Sequence, residues 1–392
     1  MQSSLSIFDF LRNDFFYILI DVFVFFVFIF YAITEKKSVV FFLLGVFFIS
    51  IKLFIFVGLR PFDSGNDTIH YYYTFLSLKD VFGARDVGIE DYGNSEFLYW
   101  PFAAVFKLII SADFQWFLVF SIFLSALLVY KSNKLAISAV IINNTFSKNS
   151  ALAVIMTYMV FISFEIAYFG GHIRSAFGVP LAFSAYLCAV NRKKLSAILL
   201  FFLSLGFHNS AISIAPLIIL EICNFKLESS KKMTFFIVIS LVLAFFVGRY
   251  EGIQGLMSLS GEYYSQRYTD YYEYTNFNIT SVFTTGYFFI ISFHLLVFLI
   301  AGYGRLHFYM FYYFFLILLF SSTPKLSERY FAYILICLPF LLYQSLRYRV
   351  KDSSALVITI IICFMAGFLT ITSYGVISTL NIDSFFFPNK AD

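Results

Sequence analysis

Long apolar runs alternate with short polar or charged stretches along the whole chain of 392 residues. An α-helix needs about 20 apolar residues to cross a bilayer, and it satisfies its own backbone groups there. The pattern therefore predicts an all-α polytopic membrane protein with about 12 transmembrane helices. The predicted spans are residues 16–33, 39–57, 114–131, 150–168, 175–190, 194–207, 209–224, 234–248, 281–301, 306–322, 330–346 and 354–375.

One further apolar run, residues 96–111, is short and contains Glu96, Lys107 and an internal Pro101. We interpret it as a re-entrant or interfacial helix. If this run does not cross, six loops rich in Lys and Arg fall on one side, which the positive-inside rule assigns to the cytoplasm. These loops are residues 34–38, 132–149, 191–193, 225–233, 302–305 and 347–353.

The loops that remain for the outer face are polar and rich in Tyr. The two long ones cover residues 58–95 and 249–280. No linker, repeat or low-complexity segment divides the sequence. We therefore treat residues 1–392 as a single integral membrane domain whose polar chemistry faces outward.

The composition agrees with a membrane protein and excludes several other classes. The chain is 60% hydrophobic and 13% charged, whereas a soluble domain has about a quarter of its residues charged. The net charge of +4 follows from the loop topology and does not indicate nucleic-acid binding. Neither a metal-binding histidine spacing nor a DxD signature occurs, so we predict no metal and no cofactor. The four Cys show no CxxC pair and are interpreted as buried thiols.

Two acidic residues open polar segments on the predicted outer face. Asp67 ends the turn-like sequence SGND, and the residues from Thr68 onward favour a helix. Asp67 either caps this helix or supplies a carboxylate to a sugar-binding or catalytic cleft. Glu96 begins the 96–111 helix, where it either stabilises the helix dipole or takes part in the chemistry.

Cations also collect on this face. Arg60 stands where the second span ends, and Arg174 directly precedes the 175–190 span. A cation at a helix N-terminus is electrostatically unfavourable. We therefore expect an anion beside Arg174, supplied by Glu165 or by a bound phosphate.

A histidine and a second group of cations lie further along the chain. His208, between two closely connected spans, either links helices by hydrogen bonds or has a functional role. Arg329 either forms a local ion pair with Glu328 or binds an anion, and Lys325 adds a cation nearby.

Tyrosines mark both long outer loops. A Tyr side chain has a flat apolar face and a hydroxyl group, which suits stacking on sugar rings, although an aromatic belt at the membrane interface has the same composition. The predicted sugar-binding residues are Tyr71, Tyr263, Tyr264, Arg267 and Tyr268.

Several of these stretches together resemble the EpsG/Wzy group of polysaccharide polymerases. Their order and spacing extend over residues 59–331, which is most of the chain. The matching elements are Leu59-Arg60, Gly65-Asn66-Asp67, Tyr71 and Phe75, the ExxY segment that starts at Glu96, the stretch HIRSAFGVPLAFSAYLCAV around Arg174, the element FHNSAI around His208, and Arg329-Tyr330-Phe331.

The resemblance implies a membrane glycosyltransferase, with a GT-C-like architecture as one compatible fold. Such a polymerase transfers a growing glycan from undecaprenyl pyrophosphate to the non-reducing end of a lipid-linked repeat unit. The reaction takes place on the outer face of the bacterial cytoplasmic membrane. The implied partners are the undecaprenyl-pyrophosphate-linked oligosaccharide, membrane lipid and a chain-length regulator protein.

The same resemblance implies roles for the outward-facing residues. Arg60, Arg174 and Arg329, with Lys325 as a lesser candidate, would bind pyrophosphate. Asp67, His208 or Glu96 would orient or deprotonate the attacking sugar hydroxyl. Asp67 is the favoured base and His208 the second choice.

Other classes of protein fit the pattern less well. An O-antigen ligase, or another glycosyltransferase that uses a polyprenyl-linked sugar, also needs outward-facing polar loops. A glycolipid transporter or flippase should place its key charges near the bilayer midplane. The predicted spans hold few charged residues, such as Asp21, Lys52 and Glu165.

Overall fold

The computed structural model describes residues 14–34, 39–58, 68–81, 83, 97–140, 146–164, 173–224, 305–319, 324–347 and 349–373. Over these residues the chain forms helices and turns and contains no strand, as the apolar pattern predicts. The helices are α1 (Asp14–Ile33), α2 (Val39–Lys52), α3 (Thr68–Ser77), α4 (Tyr99–Ile109), α5 (Phe114–Val140), α6 (Phe146–Phe164), α7 (Ile173–Val190), α8 (Lys194–Phe207), α9 (Ala215–Ile222), α10 (Arg305–Leu319), α11 (Pro324–Arg347) and α12 (Asp352–Ser373).

The described helices follow the predicted spans. Three segments are long and apolar enough to cross a membrane: Phe114–Ser138, Ile173–Val190 and Arg329–Arg347. The other apolar helices in this part of the chain are shorter. The helical, membrane-type character is therefore confirmed, and the number of about 12 spans stays a prediction. Two of the predicted spans, 234–248 and 281–301, lie outside the described residues.

Helix boundaries differ from the prediction where polar side chains are satisfied inside the helix bundle. Helix α5 continues to Val140, so the first part of the predicted loop 132–149 is helical. Asn133 is buried, and its Nδ2 donates to Thr157 Oγ1 on α6 at 3.2 Å. Because this polar group has a partner between the two helices, α5 does not have to end at the first polar residues.

The predicted span 209–224 is divided into two types of helix. A 3₁₀ segment, Asn209–Ile214, precedes the α-helical part, α9. The α8 helix ends at Phe207, and one residue separates it from this segment. His208 therefore lies at the junction between two types of helix.

The chain divides into two compact units, one of Met1–Ile218 with Val350–Asp392 and the other of Ile219–Arg349. In the first unit, α7 packs against α5 and α8, while α12 packs against α1 and α6. In the second unit, α10 packs against α11, where the rings of Tyr313 and Tyr333 stack with their centroids 4.5 Å apart.

A buried ion pair joins three helices of the first unit. Lys52 Nζ lies 2.6 Å and 2.7 Å from the two carboxylate oxygens of Asp21. The hydroxyl of Tyr158, on α6, donates to Asp21 Oδ1 at 3.0 Å. The two buried charges neutralise each other at this distance, and the tyrosine adds a hydrogen bond. This arrangement is typical of a structural link between helices.

A short π-helix, Leu53–Gly58, begins directly after Lys52 and precedes the loop that the sequence predicts on the outer face. Its end lies against α5, because Gln115 Nε2 donates to the Gly58 carbonyl at 2.5 Å. A Cβ atom on Gly58 would lie 3.0 Å from Val119 Cγ2, so the close approach favours glycine. The ion pair and this contact together fix where the chain leaves α2.

Candidate functional site

Four segments that are far apart in the sequence meet in the first unit. They are α3, the start of α4, the start of α7 and the junction after α8. Each of them carries one of the elements on which the family resemblance rests. The contacts below show how the fold connects them.

Arg174 is the second residue of α7 and contacts Tyr71 on α3. Its Nε donates to the Tyr71 hydroxyl at 2.8 Å. Its guanidinium carbon lies 5.2 Å from the centroid of the Tyr71 ring, within the range of a cation–π contact. Helix α3 therefore holds this arginine at the N-terminal end of α7.

This contact differs from the carboxylate or phosphate that the sequence predicts beside Arg174. The proposed protein partner, Glu165, lies outside the described residues. A neutral phenol orients the guanidinium group but does not cancel its charge, and an arginine stays protonated in a protein. The expectation of an anion beside Arg174 therefore stays a prediction.

The ring of Tyr71 is buried, with 1% of its surface exposed. Its centroid lies 5.7 Å from that of Tyr99 and 6.0 Å from that of Trp100, both on α4. A buried ring has no open face on which a sugar can stack, which argues against the sugar-binding role predicted for Tyr71. The geometry favours a different role, in which Tyr71 positions Arg174.

The start of α4 is attached to the end of α8 through backbone groups. Leu98 N donates to the carbonyl of Gly206 at 2.9 Å. A side chain at Gly206 would clash with the side chain of Leu98. This contact brings the ExxY segment beside the FHNSAI segment, although about 100 residues separate them in the sequence.

His208 is buried at the C-terminal end of α8, with 5% of its surface exposed. Its backbone is extended, and its N–H donates to the Ser204 carbonyl at 2.9 Å. On α7, Gly178 lies so close that a Cβ there would be 2.5 Å from His208 Cβ. Gly178 follows Arg174 by four residues, so both lie on one face of α7, about 6 Å apart along its axis.

The structure thus connects three of the predicted site residues, Arg174, Tyr71 and His208, through α7. Other predicted residues lie outside the described part of the chain, and their roles stay predictions. These are Arg60, Asp67, Glu96, Tyr263, Tyr264, Arg267 and Tyr268. Thr68, which follows Asp67, is the first residue of α3, as the sequence predicts.

Arg329 and Lys325 belong to the second unit, where both lie near the start of α11. Arg329 is half-buried, and the ring of the adjacent Tyr330 lies 6.4 Å from that of Tyr313. The role of Arg329 in phosphate binding stays a prediction.

Sequence reasoning missed two residues that contribute to this arrangement. Trp100 is fully buried against Tyr71 and Tyr99. Lys107, on α4, binds the end of α3. The available signal was the presence of a lysine in a short apolar helix, a position where a cation needs partners.

In the described part of the chain, no group of three or more His, Cys, Asp or Glu side chains is arranged to hold a metal ion.

The fold and site define a polytopic helical membrane protein in which one helix has an arginine at its N-terminus and a buried histidine packed against it, one turn further on. The chain belongs to the EpsG family, whose sequence model matches residues 44–387. The resemblance found in the sequence is therefore confirmed. Searches of curated proteins and of solved structures found no match.

Proposed function

We propose that this protein is a polysaccharide polymerase of the Wzy type. It transfers a growing glycan from undecaprenyl pyrophosphate to the non-reducing end of a lipid-linked repeat unit. The reaction takes place on the outer face of the bacterial cytoplasmic membrane, and the product is an O-antigen, capsule or exopolysaccharide. Membership of the EpsG family supports a polymerase in general terms. The substrate, the orientation and the mechanism are part of the proposal.

The observation that carries this proposal is the contact between Arg174 and Tyr71. In the reaction the acceptor hydroxyl oxygen bonds to the anomeric carbon of the donor glycan. The bond from that carbon to the pyrophosphate oxygen breaks, and undecaprenyl pyrophosphate leaves with the bonding electrons. A guanidinium group stabilises the charge that develops on this leaving group. The N-terminal end of a helix also favours a bound anion, and Arg174 is the second residue of α7.

The proton of the acceptor hydroxyl needs an acceptor of its own. Asp67 is the favoured base, and His208 and Glu96 are the alternatives. His208 has structural support because it packs against Gly178, which lies about one turn from Arg174 on the same face of α7. A base at this distance would accept the proton of the acceptor hydroxyl while the arginine stabilises the leaving group.

The remaining predicted residues complete the proposal. Arg60, Arg329 and, to a lesser extent, Lys325 are further ligands for the phosphates. The aromatic and basic residues of the second outer loop bind sugar rings of the glycan. These residues are Tyr263, Tyr264, Arg267 and Tyr268. A chain-length regulator protein is the proposed partner.

The test uses single substitutions in a strain that lacks the chromosomal copy of the gene. The variants are Arg60→Ala, Asp67→Asn, Arg174→Ala, His208→Ala and Arg329→Ala. Loss of the long glycan ladder from a variant that still inserts into the membrane supports the assigned role. Arg349→Ala is the matched control, because this exposed arginine lies on the predicted cytoplasmic side. Normal ladders from both Asp67→Asn and Arg174→Ala would contradict the proposal.

The same strain separates the alternative functions. A polymerase defect leaves single repeat units attached to the lipid or to the final acceptor. A ligase defect leaves complete polymer that is not attached. A flippase defect traps repeat units on the cytoplasmic side and prevents both products.

A further inference from the structure

Lys107 binds the C-terminal end of α3 from the neighbouring helix α4. Its Nζ donates to the carbonyl oxygens of Phe75 at 2.9 Å, Leu76 at 2.7 Å and Leu78 at 2.8 Å. It also lies 5.6 Å from the centroid of the Phe75 ring. Three backbone acceptors therefore converge on one ammonium group.

Lys107 supplies hydrogen-bond donors and a positive charge to the C-terminal end of α3. The last carbonyl groups of a helix have no partner within the helix and carry a partial negative charge. Helix α3 has no basic residue in its last turn. Its 10 residues are too few for a stable isolated helix, so its position depends on tertiary contacts. Burial lowers the pKa of Lys107 from its ordinary value, because the charged group has lost part of its hydration.

Helix α3 also carries the residue that holds Arg174. Tyr71 precedes Phe75 by four residues, so the two side chains lie on the same face of α3. Both are buried in one aromatic cluster with Trp100 of α4. A shift of the C-terminal end of α3 would therefore move Tyr71, and with it the hydroxyl that accepts the hydrogen bond from Arg174.

We propose that Lys107 is a positioning residue for the polymerase reaction: by holding the end of α3, it fixes Tyr71 and through it the guanidinium group of Arg174. This inference rests on the proposed function, in which Arg174 stabilises the leaving group, because it gives Lys107 the task of orienting Arg174. Lys107 itself does not touch the substrate. Its effect reaches the reaction through two intermediate contacts, both within the first unit.

Trp100 provides a spectroscopic readout of the position of α3. The chain has two Trp, and the second, Trp116, is 54% exposed, so Trp116→Phe leaves Trp100 as the single reporter. In this background Lys107→Met keeps the length of the side chain and removes its donors. We expect a red-shifted emission and stronger quenching by iodide, because the cluster opens to water.

Two further variants define the cause of the shift. Lys107→Arg keeps a cation with several N–H donors, and we expect it to retain the emission of the parent protein. Lys79→Met removes an exposed lysine just after the end of α3, and it should also leave the emission unchanged. If Lys107→Met does not accumulate, Lys107→Gln replaces it and should give a smaller shift. An unchanged emission in the Met or Gln variant would overturn the proposal.

A double-mutant cycle connects the position of α3 to the reaction. Polymer formation is measured for Lys107→Met, for Tyr71→Phe and for the double variant. If Lys107 acts through Tyr71, Lys107→Met should cause a smaller loss of activity in the Tyr71→Phe background than in the wild-type background. The two fold losses should differ by at least about fivefold. Independent, multiplicative losses would show that Lys107 has only a local structural role. Full activity of Arg174→Ala would instead contradict the proposed function, whatever the fluorescence shows.

Discussion

The contact between Gly178 and His208 allows a sharp test of how α7 and the end of α8 form the site. The perturbation is Gly178→Ala, which adds a single Cβ atom to α7. That atom would lie 2.5 Å from His208 Cβ, whereas non-bonded carbon atoms approach to about 3.5–4.0 Å. The two segments must therefore separate by about 1 Å.

The expected effects on stability and on activity differ in size. Inside a helix, Ala is more stable than Gly by about 1 kcal/mol, while overpacking costs about 1–3 kcal/mol. The net loss of unfolding free energy should therefore be no more than about 2 kcal/mol. A displacement of about 1 Å at a catalytic group lowers the rate by up to about 100-fold. The amount of polymer formed should consequently fall much more than the amount of folded protein.

The assay compares the glycan ladder with the amount of inserted protein and with its thermal unfolding in detergent. Gly83→Ala is the matched control, because its added Cβ would have no neighbour closer than 3.4 Å. A Gly178→Ala variant with normal stability and a normal ladder would refute the reasoning. It would show that His208 does not need its observed position against α7.

The remaining predictions concern the buried ion pair and the tyrosine that holds Arg174. Asp21→Asn or Lys52→Met alone should lower the unfolding free energy by about 3–5 kcal/mol, because each leaves an unpaired buried charge. The double variant should be more stable than either single variant, and thermal unfolding in detergent measures all three. Stable single variants would contradict the assigned role. Tyr71→Phe keeps the ring but removes a charge-assisted hydrogen bond of about 1.5–3 kcal/mol. It should lower kcat/KM for the lipid-linked donor mainly through kcat while thermal unfolding changes little, and an unchanged kcat/KM would count against this role.

The sequence predicted the features that depend on local patterns. The apolar runs and the helix that begins at Thr68 follow from hydropathy and turn chemistry. The close connection of two spans at His208 was also visible in the sequence. Arg174 was singled out because a cation at a helix N-terminus is unfavourable, and His208 because ionisable residues at membrane depth are costly. These signals act over a few residues and do not require knowledge of the tertiary structure.

The contacts that organise the site were not predictable in the same way. Lys107 and Tyr71 belong to different helices, and their partners are set by how α3, α4 and α7 pack. The hydrogen bond from Arg174 to the hydroxyl of Tyr71 depends on that packing, and the anion expected beside Arg174 stays a prediction. The extension of α5 through Asn133 likewise depends on a partner on another helix, Thr157.

The central claim is that the protein is a glycan polymerase in which Arg174 stabilises the pyrophosphate leaving group. The most direct measurement uses purified protein in liposomes, supplied with lipid-linked repeat units isolated from the deletion strain. The account predicts that the wild-type protein and the Arg349→Ala control form long chains, while Arg174→Ala leaves the repeat units unjoined. Chain growth by Arg174→Ala at the wild-type rate, or no chain growth by the wild-type protein, would contradict it.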